Sequence, residues 1–300
     1  MATERPDVKY VLDKLAWMRQ QRIWPNGERY LWTDAFGVVL LASLFWRLED
    51  GRYLDDAKRV VREVERVLGR PRGLRIGEAP DRDGQYFHYL AMWLFALNVL
   101  GGIEPEYRAK ALQIARDIHR PFVRPGIGVS WKMLEDLRAP YPGYGRGAID
   151  PFHGYVVYRL LGERELAGEI GEMRELMDES YRTLAIAQDL GIGMMLWLSS
   201  FFPTEPWAET QQRRSLHILD RMWIEPAGYF CRQPELPHTK FAFTNYGVSL
   251  GLQAVGAHLD RVERLENFFE TYRSGDEYDR NAITHVMACT SRFPGLLLPR

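Results

Sequence analysis

The chain has 300 residues, of which 46% are hydrophobic and 26% are charged, and its formal net charge is -1. This composition is typical of a globular protein with enough apolar material for a large core. The near-neutral charge excludes a strong field that would attract nucleic acid. Two cysteines, Cys231 and Cys289, are too few for a disulfide framework in a chain of this length.

The first ten residues, MATERPDVKY, lack the apolar run of a secretory signal. The longest apolar stretches, near residues 37–46 and 190–202, are too short or too interrupted to span a bilayer. We therefore expect a cytoplasmic protein with no membrane anchor and no nucleic-acid partner.

From the N-terminus onward, the sequence alternates between two kinds of predicted helix. The first kind is amphipathic, with apolar residues at three- and four-residue spacing and charges between them, as in RYLDDAKRVVREVERVL. That pattern is typical of a helix with one buried stripe. In chain order, these outer helices are predicted near residues 8–23, 52–68, 105–119, 164–182, 206–222 and 259–273.

The second kind of predicted helix is apolar on nearly every face, as in DAFGVVLLASLFWRL. Such a helix must be covered on all sides. In chain order, these inner helices are predicted near residues 34–48, 85–100, 151–161, 190–202, 244–258 and 281–289. The chain thus contains twelve predicted helices, alternately outer and inner.

The inner helices begin at unequal intervals along the chain, which argues against a short-period solenoid. A closed ring of inner helices surrounded by outer helices would bury both kinds of apolar face. We therefore predict an all-α fold, an (α/α)6 barrel of six helical hairpins, as a single domain over residues 1–300. The alternative is an open helical array. In the barrel, all inner helices begin at the same end, which we call the mouth.

Most inner helices begin beside an Asp, Asn or Thr. Asp34, Asp83 and Asp150 are the acidic examples on three different hairpins, and Asn245 begins a fourth inner helix. Such residues are also favoured helix caps, because a side-chain oxygen accepts a free backbone N–H. We expect some of them to serve only as caps.

Further polar residues lie one turn deeper, on segments that are otherwise apolar. A buried polar side chain needs partners, and one such residue is more often a satisfied core group than part of a site. Several of them on different inner helices favour a polar pocket at the mouth. They are Gln85, His88, His153, Tyr155, Tyr246 and His285.

The connections that lead into the inner helices are long and aromatic. Residues 121–149 form the longest predicted non-helical stretch, which we call the mouth loop, and contain Trp131 and Tyr144. Residues 223–243 and 73–83 are two further connections at the predicted mouth, whereas turns at the opposite end are shorter. Long loops of this kind are often functional, so the asymmetry favours a site at the mouth.

This inventory of carboxylates, imidazoles and aromatic rings suits a sugar. Two carboxyl groups around one bond can serve general acid–base catalysis. We predict Asp34, Asp83 and Asp150 as catalytic carboxyls, with His88 assisting. The predicted substrate-binding residues are Trp32, Gln85, Tyr86, Trp131, Tyr144, His153, Asn245, Tyr246 and His285. We predict no metal and no cofactor.

The stretch DGQYFHYLAMWLFAL (residues 83–97) and the Trp32-Thr33-Asp34 start resemble hairpin openings in the six-hairpin glycosidase superfamily. The resemblance is one of architecture and extends over the whole chain. It implies an (α/α)6 barrel whose catalytic carboxylates lie in the loops and first turns at one mouth. It also implies a hydrolase, lyase or epimerase, here with a small carbohydrate or uronic-acid-like substrate, because the chain is short for the group.

Two alternatives stay open from the sequence. The same toroid occurs in terpenoid cyclases and dehydratase–isomerases, and the apolar inner helices could line a cavity for an isoprenoid-type alcohol. The second alternative is a non-catalytic binding protein whose aromatic loops form a docking surface. A homodimer is compatible with either alternative and with the enzyme.

Overall fold

Most of the chain is helical. A computed structural model describes residues 8–223, 230 and 241–299. The α-helices in this part of the chain are α1 (Val8–Gln20), α2 (Leu31–Leu48), α3 (Gly51–Leu68), α4 (Phe87–Gly101), α5 (Pro105–Phe122), α6 (Asp150–Gly162), α7 (Ala167–Ser180), α8 (Asp189–Ser199), α9 (Pro206–Met222), α10 (Ala242–Val255), α11 (Leu259–Thr271) and α12 (Ala282–Arg292). The predicted alternation of twelve helices is therefore confirmed.

The two kinds of helix differ in burial as their sequences predict. In α2, every residue from Leu31 to Leu44 is buried. In α3, burial is confined to a stripe at three- and four-residue spacing that includes Ala57, Val61 and Leu68. The difference arises because α2 has no polar face that could be left in water.

The helices group into two compact units. The middle unit, Glu28–Arg182, contains α2 to α7 as three hairpins, α2/α3, α4/α5 and α6/α7. Within it, α2 packs on α4 and α4 packs on α6, so the apolar helices are neighbours. The beginnings of these three helices consequently lie close together.

The terminal unit consists of residues 1–27 and 183–300, and its described part contains α1 and α8 to α12. Here α8 packs on α9, α10 packs on α11, and α1 packs on α12. Helices α8 and α10 pack closely against each other. A Cβ added to Gly193 would collide with the main chain of Gly247, so this approach requires glycine.

The connections contain short strands that the sequence did not predict. Strand β1 (Gln85–Tyr86) pairs antiparallel with β4 (Lys132–Met133), and β2 (Val123–Arg124) pairs with β3 (Gly128–Val129). The prediction that α4 begins at Gln85 is wrong, because Gln85 and Tyr86 use their extended backbone to anchor the mouth loop. Helix α5 also continues through Pro121, which occupies its last turn.

Within the described part of the chain, one helix is long and apolar enough to cross a membrane by length and composition. It is α2, and 78% of that window is buried inside the protein. Burial against neighbouring helices accounts for its apolar sequence.

Candidate active site

A histidine and an aspartate from neighbouring apolar helices meet in the middle unit. His88 is the second residue of α4, and Asp150 is the first residue of α6. His88 Nδ1 lies 3.6 Å from Asp150 Oδ1. The His153 ring, one turn further along α6, has its centroid 6.2 Å from that of His88. We call these three residues the acid–base cluster.

Burial keeps all three groups of the acid–base cluster neutral. It raises the pKa of the Asp150 carboxyl well above its usual value. Burial, reinforced by the nearby His153, lowers the pKa of His88 to about 3. Burial likewise lowers the pKa of His153 to about 4. Burial therefore favours the protonated form of the Asp150 carboxyl and leaves the two imidazoles neutral at pH 7, so that they can accept a proton.

Several polar atoms of this cluster are buried without a partner. Among the described residues, Asp150 Oδ2 and both ring nitrogens of His153 have no hydrogen-bond partner. The same holds for the indole Nε1 of Trp32, whose ring lies 5.9 Å from that of His88. Buried polar atoms are normally satisfied, so a group of exceptions in one place is typical of a site that receives a polar ligand.

Aromatic rings surround the acid–base cluster. The Trp131 ring stacks on His88 at 6.4 Å, and Tyr86 lies 5.7 Å from Trp131. The Tyr144 ring centroid lies 5.6 Å from that of Trp131 and 6.1 Å from that of Tyr86. Trp131 is 42% exposed, whereas Trp32 is buried. Predicted stacking residues from three different segments are thus brought together around His88.

A buried lysine positions the tyrosines of this aromatic wall. The Lys132 ammonium donates hydrogen bonds to Glu78 (3.0 Å) and to the main-chain oxygen of Arg82 (2.6 Å). It also lies 4.8 Å from the Tyr86 ring centroid and 4.9 Å from that of Tyr144. Cation–π attraction and the two hydrogen bonds together allow a charged side chain that is fully buried.

Two of the three predicted catalytic carboxylates form ion pairs with arginines. Asp34 Oδ1 lies 3.1 Å from Arg29 Nη1, and its Oδ2 accepts the backbone N–H of Tyr30 at the start of α2. Asp83 pairs with Arg75 and accepts three backbone N–H groups, from Ile76, Gly77 and Gly84. These contacts fix the α2 entrance and the loop before β1. The catalytic role of both residues stays a prediction, and the geometry favours a structural one.

Gln85 has a similar anchoring position. Its Nε2 donates to the main-chain oxygens of Arg72 (3.0 Å) and Glu135 (2.7 Å), so it joins the loop before β1 to the mouth loop. The predicted contact of Gln85 with substrate is not tested by this geometry.

The remaining predicted residues lie in the terminal unit. Asn245 and Thr244, at the start of α10, both donate to Asp189 at the start of α8 (3.4 and 2.7 Å). Tyr246 and His285 line a cavity in the terminal unit. Their role in substrate binding stays a prediction.

Part of the second predicted connection lies outside the described residues. It includes Tyr229, Cys231, Arg232, His238 and Lys240. Within residues 8–223, 230 and 241–299, no group of three or more His, Cys, Asp or Glu side chains is placed to hold a metal ion.

The fold can be compared with solved structures. A D-mannose isomerase matches with a TM-score of 0.67 and 12% identity, covering 96% of this chain and 97% of that chain. A cellobiose 2-epimerase from Bacillus thermoamylovorans matches at 0.64 and 11%, covering 95% and 98%. A GH76 α-mannanase from Bacteroides thetaiotaomicron matches at 0.68 and 9%, covering 97% and 96%. No family model and no curated protein sequence matches the chain.

The chain has the (α/α)6-barrel fold. The predicted fold class and the architectural resemblance to six-hairpin glycosidase-like enzymes are therefore confirmed. At 9% to 12% identity, this similarity shows the fold alone, and the chemistry must be argued from the residues.

Sequence analysis did not select several residues that shape this site. Tyr89 lies 4.7 Å from His88, and its hydroxyl is 2.6 Å from that of Tyr30. Lys132 and Glu78 were visible only as charges in loops. A lysine directly after a tryptophan, as in SWKML (residues 130–134), was the one sequence signal that could have indicated a cation–π position.

Proposed function

We propose that this protein is an enzyme that acts on a small carbohydrate by general acid–base catalysis without a cofactor. Asp150 and His88 form the proton-transferring pair, and His153 is the second imidazole. Trp32, Tyr86, Trp131 and Tyr144 provide faces on which a sugar ring can stack. The predicted partner is accordingly a small-molecule substrate.

The observation that carries this proposal is the contact of His88 with Asp150 in a buried setting whose polar atoms lack partners. A bifunctional proton transfer needs one group that holds a proton and another that is free to accept one. Burial favours these states because it disfavours the charged forms of both groups: it raises the pKa of the Asp150 carboxyl and lowers that of His88 to about 3. The separation of 3.6 Å suits a site that tightens when substrate binds.

The free groups favour proton transfer at a sugar carbon, as in isomerisation or epimerisation, over hydrolysis. Most glycoside hydrolases use two carboxyl groups at the scissile bond. Here Asp34 and Asp83 are paired with Arg29 and Arg75, which leaves Asp150 as the one unpaired carboxyl of the three. The isomerase and epimerase among the structural matches are consistent with this choice.

The isoprenoid alternative fits the cluster less well. The atoms left without partners are hydrogen-bonding groups of Asp150, His153 and Trp32. A sugar hydroxyl can satisfy each of them, whereas an apolar chain would leave them buried and unpaired at a cost of about 1–3 kcal/mol each. Cytoplasmic location and a homodimer remain predictions.

The decisive experiment is an activity screen in D2O. Neutral hexoses, pentoses, uronic acids and disaccharides would be incubated with the protein, and NMR would detect both new sugars and deuterium at the sugar carbons. We expect at least one substrate to be converted with deuterium incorporation. Asp150→Asn should then lower kcat by about 10²–10⁴-fold, because it removes the acid and preserves its shape.

Asp83→Asn is the matched comparison. It removes a charge that stabilises a loop, so we expect a lower free energy of unfolding and a smaller effect on kcat in the protein that remains folded. Full activity of Asp150→Asn, or release of free sugars from glycosides without deuterium at carbon, would reject the proposed proton transfer.

A further inference from the structure

A cavity of about 480 Å³ lies in the terminal unit, among α1, α10, α11, α12 and the segment after α11. Its volume is in the range of small-molecule sites, about 300–1,000 Å³. All its described lining residues belong to the terminal unit, and none of them belongs to the acid–base cluster. The cavity is therefore a candidate binding site in its own right.

The charged side chains that line this cavity have opposite charges beside them. Glu270 lies 4.0 Å from the Lys14 ammonium, and it is also hydrogen-bonded to the Tyr10 hydroxyl. Asp13 is paired with Lys9 at 2.5 Å, and Lys9 does not line the cavity. The first two carboxylates of the cavity wall are thus matched without a ligand.

Asp279 and Arg273 match each other in the same way. The Asp279 carboxylate accepts backbone N–H groups from Ser274 (2.8 Å) and Gly275 (2.9 Å). Burial alone would raise the pKa of Asp279, but these bonds and the charge of Arg273 hold it below its usual value. Asp279 therefore stays ionised near the guanidinium. A ligand with a net charge would find no unmatched opposite charge among the described lining residues.

Aromatic rings form much of the cavity wall. They come from α1, α10, α11 and the segment after α11, and they are Tyr10, Trp17, Tyr246, Phe269, Tyr272 and Tyr278. Trp17 is 37% exposed, so part of its ring is open to a ligand. Aromatic rings with a few polar groups among them are the usual lining of a small-molecule site.

Two neutral side chains at the start of α12 supply hydrogen-bonding groups. The Thr284 hydroxyl is buried and has no partner among the described residues. His285 Nε2 lies 3.0 Å from the main-chain oxygen of Asp279, so this nitrogen carries the proton and Nδ1 is an acceptor. Burial, and then the charge of Lys14, lowers the pKa of His285 to about 4, so the ring is neutral at pH 7. A purely apolar ligand would leave the Thr284 hydroxyl unsatisfied.

We propose that this cavity binds an uncharged sugar ring, which packs on Trp17 while its hydroxyls bond to Thr284 and His285. A neutral ligand is favoured because the charges of the wall already match one another. A ring with several hydroxyls is favoured over an apolar one because it satisfies Thr284 and still offers C–H faces to the aromatic wall. The inference does not rest on the proposed function, since it uses no residue of the acid–base cluster.

NMR titration of the full chain, labelled with nitrogen-15 in its tryptophans, tests the proposal site by site. Trp17 and Trp46 are both partly exposed, but only Trp17 lines the cavity. The probes are methyl β-D-glucopyranoside and methyl α-D-mannopyranoside, whose rings cannot open and so cannot undergo the proton transfer proposed above. With at least one of them, we expect the indole N–H signal of Trp17 to shift saturably and that of Trp46 to stay in place.

Two further probes test the class of ligand. Methyl β-D-glucuronide should bind at least about threefold more weakly, because its carboxylate is brought near Glu270 and Asp279 with no unmatched cation. Cyclohexanol should also bind at least about threefold more weakly, because it has one hydroxyl in place of several. Tighter binding of either probe than of both neutral glycosides would overturn the proposal.

A change of one hydroxyl to a methyl group makes the assignment specific. Thr284→Val should weaken glycoside binding about three- to tenfold by removing one hydrogen bond. It should not lower the resistance to denaturant, because the hydroxyl has no partner in the free protein. Thr271→Val, an exposed position on α11 that does not line the cavity, is the matched control and should bind normally. Equal affinity of the two variants would overturn the role of Thr284.

A second variant keeps the test decisive if Thr284→Val fails to fold. His285→Phe preserves a ring against Trp17 and removes the acceptor, so binding should weaken at least about twofold. Unchanged binding by this variant would then overturn the proposal. Absence of a saturable Trp17 shift with both glycosides would overturn it as well. A shift of the Trp131 signal without one of Trp17 would do the same and would leave the proposed function standing.

Discussion

Asp150 Oδ2 is packed against Gly147, and a Cβ added to that glycine would overlap the oxygen. On its other side, Asp150 Oδ1 lies 3.6 Å from His88 Nδ1. The last turn of the mouth loop therefore fixes the carboxyl of Asp150 toward the imidazole. Glycine at position 147 is needed because only it leaves space for this orientation.

Gly147→Ala should displace the Asp150 carboxyl and lower kcat at least about tenfold, since misplacing a catalytic group by about 1 Å can cost 10²-fold. Gly145→Ala is the matched control, because a Cβ there meets no atom within 4 Å. Steady-state kinetics on the substrate found in the screen would measure both. Equal activity of the two variants would show that the position of Asp150 does not limit catalysis.

Trp131→Ala should raise KM about tenfold and change kcat little, because it removes a stacking face and leaves the acid–base cluster in place. The half-exposed position of Trp131 predicts a small effect on unfolding. Trp46→Ala, which removes a 53% exposed tryptophan near the end of α2, is the comparison. A loss confined to kcat in Trp131→Ala would contradict a role in binding.

Lys132→Met should lower the free energy of unfolding by about 1–3 kcal/mol, because it leaves the part-buried acceptors of Glu78 and Arg82 without the donor that Lys132 supplies. The same change should raise KM, since Tyr86 and Tyr144 lose the cation between them. Lys110→Met is the control: its surface pair with Glu65 should contribute less than about 1 kcal/mol. Chemical denaturation and kinetics separate the two effects. Equal stability losses in Lys132→Met and Lys110→Met would contradict a stabilising role of the buried Lys132 ammonium.

The pH dependence of the free energy of unfolding should show that the buried imidazoles stay neutral in the folded state. His153 keeps its proton off down to a pKa of about 4 in the folded state, whereas it protonates near 6.5 when unfolded. The unfolded state then binds more protons, so stability should fall as pH decreases from 6.5 to 4.

His153→Gln should remove roughly 1–3 kcal/mol of that decline, which denaturant titrations at several pH values would measure. His217→Gln, on the exposed face of α9, should follow the wild-type curve. Parallel curves for His153→Gln and wild type would show that the imidazole titrates alike in both states.

Asp150 should make stability depend on pH in the opposite direction to His153. Its pKa in the folded state is raised, so the unfolded state loses a proton above pH 3.8 while the folded state retains it. Stability from this group is present below that pH and declines as pH rises. Asp150→Asn should therefore stabilise the protein at neutral pH even as it removes activity.

The sequence by itself determined the class of fold. Apolar residues on every face of α2 and a single stripe on α3 fixed which helices are covered, because water must be excluded from each apolar face. It also placed His88, Asp150 and Trp131 near one set of helix starts. The pattern of apolar residues and their spacing along a helix are local properties, so they can be read from the sequence without knowing the tertiary structure.

Only the tertiary structure decided which carboxylates are free. Asp34, Asp83 and Asp150 look alike in sequence. In the structure, Asp34 and Asp83 form ion pairs with arginines from loops, whereas Asp150 is buried without an arginine partner. The partner of a side chain comes from residues distant in sequence, and its ionisation depends on the desolvation that packing imposes. The extended conformation of Gln85 also depends on residues distant in sequence, because β1 pairs with Lys132–Met133, almost fifty residues away along the chain.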